Sequence, residues 1–237
     1  MNVCIKPQWA KEIDDYGIFS DFTHFATGQD GWTSLVVDGG SSASVSDGVR
    51  GTLAIVTGAT DENEADVRTT TELFLGAAGK PLWGRGRIQF TDVNTDDGNI
   101  FFGFANALAA NMLVDAGAGM RTSGSILAIY KIDGGTVWRC HSRDNSAATD
   151  TVSTTTAGGS SYVELGIEAV EYSTLAANII FTVDGNPLRD TNGNVITHRW
   201  LYASLTEMNF GAYAKTGDAT PSSLTLNVDW MGAGQVR

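Results

Sequence analysis

The residues with the most chemical potential are carboxylates at even spacing. In the stretch FTDVNTDDGNIFFGF, residues 90–104, Asp92, Asn94 and Asp96 alternate as the first three ligands of a calcium loop do. Such a loop also needs glycine at its sixth position and a bidentate glutamate at its twelfth. Here Asp97 holds the sixth position, Gly98 follows one residue late, and Gly103 is the twelfth. The flanks, 87–90 and 100–104, read as strands. Asp96-Asp97-Gly98-Asn99 is therefore expected to be a hairpin turn. The alternative is a weak calcium site completed from a distant loop. No metal ligand is assigned.

A second set is Glu62, Glu64 and Asp66 in DENEAD, residues 61–66, which would share one face if extended. Retaining glycosidases of the jelly-roll type set Glu-x-Asp-x-Glu along one strand, the first Glu as nucleophile and the last as acid. Such a strand interleaves its acids with core residues. Here Asn63 and Ala65 interleave and Asp61 precedes, so the segment is expected to be a solvated loop. Glu164 and Glu168 share a strand face and are expected to point to solvent. The histidines, His24, His141 and His198, show no metal spacing and no catalytic Ser or Cys beside them. Cys140 and His141 are adjacent, so on a strand they face opposite ways. Gly84-Arg-Gly-Arg is too short for a phosphate loop and lacks its Lys-Ser/Thr. No catalytic residue and no cofactor is expected. Six tryptophans, Trp9, Trp32, Trp83, Trp138, Trp200 and Trp230, could stack on sugars, but core packing is the expectation. Trp83 is the best placed to be exposed.

The elements that must position these residues are strands. Leu224, Leu226, Val228 and Trp230 alternate with Thr225, Asn227 and Asp229, the mark of a strand with one wet face. Leu165, Ile167 and Ala169 alternate in the same way, as do Ile179, Phe181 and Val183, and Met208, Phe210, Ala212 and Ala214. Further strands are expected at 32–37, 52–57, 86–91, 100–104, 125–132, 136–140 and 195–203. Asp47-Gly48, Asp97-Gly98, Asp133-Gly134, Asp184-Gly185 and Asn192-Gly193 are hairpin-type dipeptides. The alanine-rich 105–113 reads as a short helix or a shaped crossing loop. The pattern is all-β, an antiparallel sandwich or jelly roll. One domain is expected over 21–237. Residues 1–20 do not alternate and read as an arm that crosses a neighbour or covers a sheet edge, with Trp9 as an anchor, the alternative being a disordered tag-like end.

Composition sets the outer bounds. The 237 residues are 42% hydrophobic and only 18% charged, which suits one globular domain with a neutral polar surface. With 28 glycines against 4 prolines, many turns at positive φ are expected. A net charge of −12 argues against nucleic acid and against an anionic membrane surface. The amino terminus does not read as a secretory signal, and no apolar run reaches the ~18 residues of a membrane helix. Cys4 and Cys140 are expected to be free thiols of a chain made in a reducing cytoplasm.

The serial order of RIQFTD (87–92), NIFFGF (99–104), FTVDGN (181–186), FGAYAKTG (210–217) and VDW (228–230) resembles concanavalin A-like jelly rolls. The resemblance covers 31–230. It implies a sandwich whose last strand closes beside the first, and this fold serves lectins, glycanases and inert shells alike. The Gly/Ala/Thr richness and the terminal DWMGAGQVR also resemble structural proteins of tailed phages, capsid decoration or cement proteins. That resemblance implies a non-enzymatic virion protein on the capsid surface, made in the host cytoplasm. Its partners would be the major capsid protein and itself, in a homo-oligomer with a trimer among the options. The alternative is a non-catalytic, lectin-like glycan-binding module of a phage tail fibre or spike.

Overall fold

The computed structural model describes residues 15–36, 38–47, 51–91, 98–218 and 221–236. Every regular element among them is a strand. In chain order these are β1 (Asp15–Ser20), β2 (Trp32–Val36), β3 (Ser42–Asp47), β4 (Thr52–Val56), β5 (Glu64–Thr69) and β6 (Leu82–Thr91). They continue as β7 (Gly98–Ala105), β8 (Leu113–Val114), β9 (Gly119–Met120), β10 (Ser125–Lys131), β11 (Val137–Asp144) and β12 (Ala148–Thr156). The last are β13 (Val163–Ser173), β14 (Ala176–Val183), β15 (Asn186–Pro187), β16 (Thr197–Leu201), β17 (Asn209–Thr216) and β18 (Thr225–Val236). All pairings are antiparallel. A nine-stranded sheet runs β15-β14-β13-β6-β18-β4-β3, with β16 beside β14 and β1 beside β18. A seven-stranded sheet runs β12-β11-β10-β7-β17-β5-β2.

The alternating residues explain the layers. Ile167, Phe181, Leu226 and Ile88 from the first sheet meet Phe102, Phe104, Phe210 and Trp138 from the second, all fully buried in one core. The chain is thus an all-β sandwich. The turn Asp184-Gly185, with φ of 50° and 74°, is the two-residue hairpin its sequence demands, since both residues need positive φ. Residues 105–113 form no helix. β7 ends at Ala105, and the chain then crosses the outer face of the seven-stranded sheet before β8 and β9 pair. Of the expected arm, β1 lies antiparallel on the second half of β18, from Asp15↔Val236 to Ser20↔Met231. It occupies the edge that β4, paired only with Thr225–Val228, leaves open. Residues 1–14, and with them Trp9 and Cys4, lie outside the described residues, as do Asp92, Asn94 and Asp96.

Gly84-Arg-Gly-Arg has a packing role. Both glycines of β6 face the core under phenylalanine rings. A Cβ on Gly84 would fall 2.4 Å from Phe210 and 2.8 Å from Phe104, and one on Gly86 would fall 2.7 Å from Phe102. Those rings contact one another, Phe104 and Phe210 at 4.9 Å between centroids, so none can retreat alone. Gly84→Ala should therefore lower the unfolding free energy by about 1–3 kcal/mol, the usual loss on overpacking. Gly39→Ala, where a Cβ meets nothing within 4 Å, should be neutral or slightly stabilising. Urea unfolding of both variants checks the contrast.

Candidate functional site

The carboxylates of DENEAD are not in a solvated loop. Glu64 begins β5, and Ala65, Val67 and Thr69 turn into the sandwich. Glu64, Asp66 and Arg68 turn to the outer face of the seven-stranded sheet. There, crossing segment 106–121 covers them, leaving Glu64 4% and Asp66 1% exposed. Leu108, Met112, Leu113 and Met120 of this segment pack on Phe101, Ala128, Tyr130 and Tyr213 as a second apolar cluster. The signal missed in the sequence was this apolar spacing within an alanine-rich run. Glu62 stays in the preceding turn, exposed, 3.7 Å from the Lys215 ammonium.

Both buried acids are consumed by hydrogen bonds. Glu64 accepts from the Asn111 amide at 2.9 and 3.1 Å and from the Tyr213 hydroxyl. Asp66 accepts from the Arg68 guanidinium at 2.5 and 2.7 Å and from the Leu35 amide at 3.2 Å. Burial pushes Asp66 up to about 7, against the opposing pull of Arg68. Burial, then the Glu64 charge, pushes Tyr213 up. Glycoside hydrolysis needs two carboxyl groups flanking an open bond. Here Glu62 lies exposed in the preceding turn, while Glu64 and Asp66 are buried and hydrogen-bonded on the strand.

The other titratable residues are also held by neighbours. His198 lies between the sheets, bonded to Ser142 Oγ and Thr151 Oγ1 at 3.0 Å each, and burial pushes it down to about 4. Cys140 faces the core, where burial pushes its thiol up, while His141 faces outward to Asp150 at 3.1 Å. Burial opposes ionisation of Asp150, yet hydrogen bonds from His141, Tyr130 and Arg139 overcome it and hold the acid at about 2. His24 pairs with Asp30 at the surface, 2.6 Å apart. Among the described residues, no three His, Cys, Asp or Glu side chains are grouped to hold a metal ion.

The aromatic residues separate by face. Trp32, Trp138 and Trp200 are core. Trp230 is not, contrary to its alternation with Leu226 and Val228. A bulge at Asp229 shifts the register, pairing Val228 with Ile88 but Trp230 with Arg87. Met231 and Ala233 then enter the core, and Trp230, Gly232 and Gly234 face outward. Trp83, opposite Gly234, faces the same way and lies across that glycine, so that a Cβ there would fall 2.3–2.9 Å from three indole atoms. Phe19 lies across Gly232 and is 39% exposed. Its ring stacks beside Trp230 at 6.0 Å with only 29° between the planes. Polar groups frame this strip. Arg85 joins Glu168 at 2.5 Å and Glu164 at 3.5 Å, and Arg87 joins Asp229 at 2.5 Å. The Arg87 guanidinium also sits 4.7 Å over the Tyr162 ring. Glu164 and Glu168 thus face outward as expected, in ion pairs.

No family model and no curated protein sequence matches the chain. Solved structures do. An endo-1,3-β-glucanase from Streptomyces sioyaensis superposes with a TM-score of 0.65 at 14% identity, over 96% of this chain and 98% of that one. Peanut lectin follows at 0.57 and 11%, over 94% and 98%. The Emp46p carbohydrate recognition domain, in its metal-free form, gives 0.59 and 9%, over 92% and 95%. The fold is accordingly that of the concanavalin A-like lectins and glucanases. Lectin domains predominate among these similar structures, beside one glucanase.

Two measurements check the site chemistry. Tyr213→Phe leaves buried Glu64 short of a donor and should lower stability by about 1–3 kcal/mol, read by urea unfolding at fixed pH. His198 has a folded value near 4 against 6.5 when unfolded. Its contribution is therefore fully present above 6.5 and lost as pH falls towards 4, because the unfolded chain takes up the proton first. Imidazole NMR shifts should show His198 neutral at pH 5.5, and His198→Gln should flatten the stability profile between those values.

Proposed function

We propose that this protein is a non-catalytic, lectin-like glycan-binding domain that lays an extended neutral glycan along the outer face of the nine-stranded sheet. The observation that carries the reading is the strip of Trp83, Phe19 and Trp230. Two of its rings lie across glycines that have no side chain to lift them off the sheet. An aromatic face carries partial negative charge, and the C–H faces of a pyranose carry the complement, so broad rings held against a rigid sheet suit a flat sugar chain. Arg85, Arg87, Glu164, Glu168 and Asp229 offer donors and acceptors along the strip's flank. Because they pair with one another, the face favours a neutral ligand over a charged one. The covered state of Glu64 and Asp66 supports binding without turnover. The similar lectin structures are consistent with this reading, and the capsid-decoration role draws no support from the geometry of this face.

Trp83→Ala and Trp230→Ala should each weaken binding about tenfold or more while leaving the fold intact, since each removes one stacking contact together with its buried apolar area. Affinity electrophoresis against soluble β-glucans, mannans and xylans, with circular dichroism as the folding control, provides the test. Retention by none of these polymers, with the wild-type chain folded, would sink the proposal. Release of reducing sugar from a bound polymer would overturn its non-catalytic part.

A further inference from the structure

A concavity opens at the β16 side of the nine-stranded sheet. There β16 meets the hairpin of β11 and β12 from the seven-stranded sheet, leaving a groove of about 340 Å³. Asp144, Thr149, Arg199, Trp200 and Leu201 line it. Three features fit it for a small polyhydroxylated ligand.

The first is a carboxylate held through one oxygen only. Asp144 ends β11, and its Oδ1 accepts from the Ser146 amide at 3.1 Å, the Ser146 hydroxyl at 2.7 Å and the Ala147 amide at 2.8 Å. Asn145 turns the chain at a φ of 72°, a value asparagine tolerates. No hydrogen bond to Oδ2 is found among the described residues. The side chain is thus fixed by the turn with one acceptor left for a ligand. Burial works against the charge, but the bonds from Ala147 and Ser146 outweigh it and hold the acid below its ordinary value.

The second is a set of donors beside that acceptor. The Thr149 hydroxyl makes no side-chain hydrogen bond among the described residues, and Arg199 is exposed at the groove. The third is an apolar wall. Leu201, 43% exposed, forms it, backed by the core residue Trp200, whose indole is locked by its Nε1–H donating to the Arg143 carbonyl at 2.9 Å. A fixed acceptor, adjacent donors and an apolar wall are what a sugar ring presents in reverse, with vicinal hydroxyls at its edge and C–H groups on its face. The volume is at the small end for ligand sites, so it suits one ring rather than a chain.

We infer that this groove is a separate site for a single neutral sugar residue, a monosaccharide or the terminal unit of a glycan. The inference rests on the glycan-binding reading but uses no residue of the aromatic strip. Three strand spacings of about 4.8 Å separate β16 from β6, so the two sites lie about 14 Å apart or more.

The test is a ¹H–¹⁵N NMR titration of the full chain with glucose, mannose, galactose and N-acetylglucosamine in turn. At least one sugar should give saturable shifts confined to 143–149 and 199–201, including the Trp200 indole signal. Asp144→Asn keeps an oxygen for the turn but replaces the ligand-facing acceptor with a donor, and should weaken that binding about tenfold or more. Thr149→Val, which leaves the turn untouched, should weaken it too, while Trp83→Ala should not. Absence of saturable shifts for all four sugars would overturn the groove site. If polymer retention by the aromatic strip persists in that case, the proposed function stands. If retention is absent as well, both fall. Saturable shifts that survive both Asp144→Asn and Thr149→Val would also overturn the inference.

Discussion

The bulge at Asp229 is the constraint on which the outer face of this protein depends. Without it, β18 would keep a single register over its twelve residues, and Trp230 would enter the core with Leu226 and Val228. One extra residue inverts the faces of everything that follows. Met231 and Ala233 fill the core, and Gly232 and Gly234 come outward beneath Phe19 and Trp83. The ion pair between Arg87 and Asp229 spans the irregularity, giving the extra residue a partner at the point where the ladder is broken. The same strand serves two edges in succession, β4 along its first half and β1 along its second. The bulge falls between those two partnerships, so neither ladder has to absorb the change of register.

The two sheets use their outer faces in opposite ways. On the seven-stranded sheet, segment 106–121 lies over the surface and buries Glu64 and Asp66. An acid buried without partners is strongly unfavourable. The fold meets that demand with hydrogen bonds from Tyr213, Asn111, Arg68 and Leu35. On the nine-stranded sheet, β1 covers an edge but no loop among the described residues seals the face in the same manner, and glycines take the positions where side chains would raise the rings. Closure of one face and a ring-bearing surface on the other are the two features on which the proposed recognition role is built.

Much of the fold was legible because period-two alternation is a local signal. The runs at 165–169, 179–183 and 208–214 read correctly, and Asp184-Gly185 marked its hairpin through backbone chemistry alone. What was illegible depended on distant partners. Nothing in Leu224–Trp230 announces a bulge, because the extra residue is defined only by its pairing with Arg87 and Ile88. DENEAD looked solvated because the segment that buries Glu64 lies far along the chain, with Asn111 47 residues beyond it. Trp83 was singled out as the tryptophan best placed for exposure. Its companions Phe19 and Trp230 come from opposite ends of the chain, and only the β1–β18 pairing brings them together. The groove at Asp144 was invisible for the same reason, since β11 and β16 belong to different sheets.

On the proposed reading, two sites of different shape on one rigid sandwich have a consequence for specificity. The aromatic strip offers breadth without a closed pocket, so it distinguishes the flatness and charge of a chain more than the identity of any one sugar. The groove offers fixed polar atoms, and a site built to hydrogen-bond a hydroxyl strongly rejects a ligand lacking it, because its own buried groups are then left unpaired. Because the sandwich holds both at a set separation, a glycan long enough to span them would convert the second contact into an intramolecular event with a high effective concentration. Weak individual sites then suffice for firm attachment to a polymer, while a free monosaccharide reaches only the groove and competes poorly.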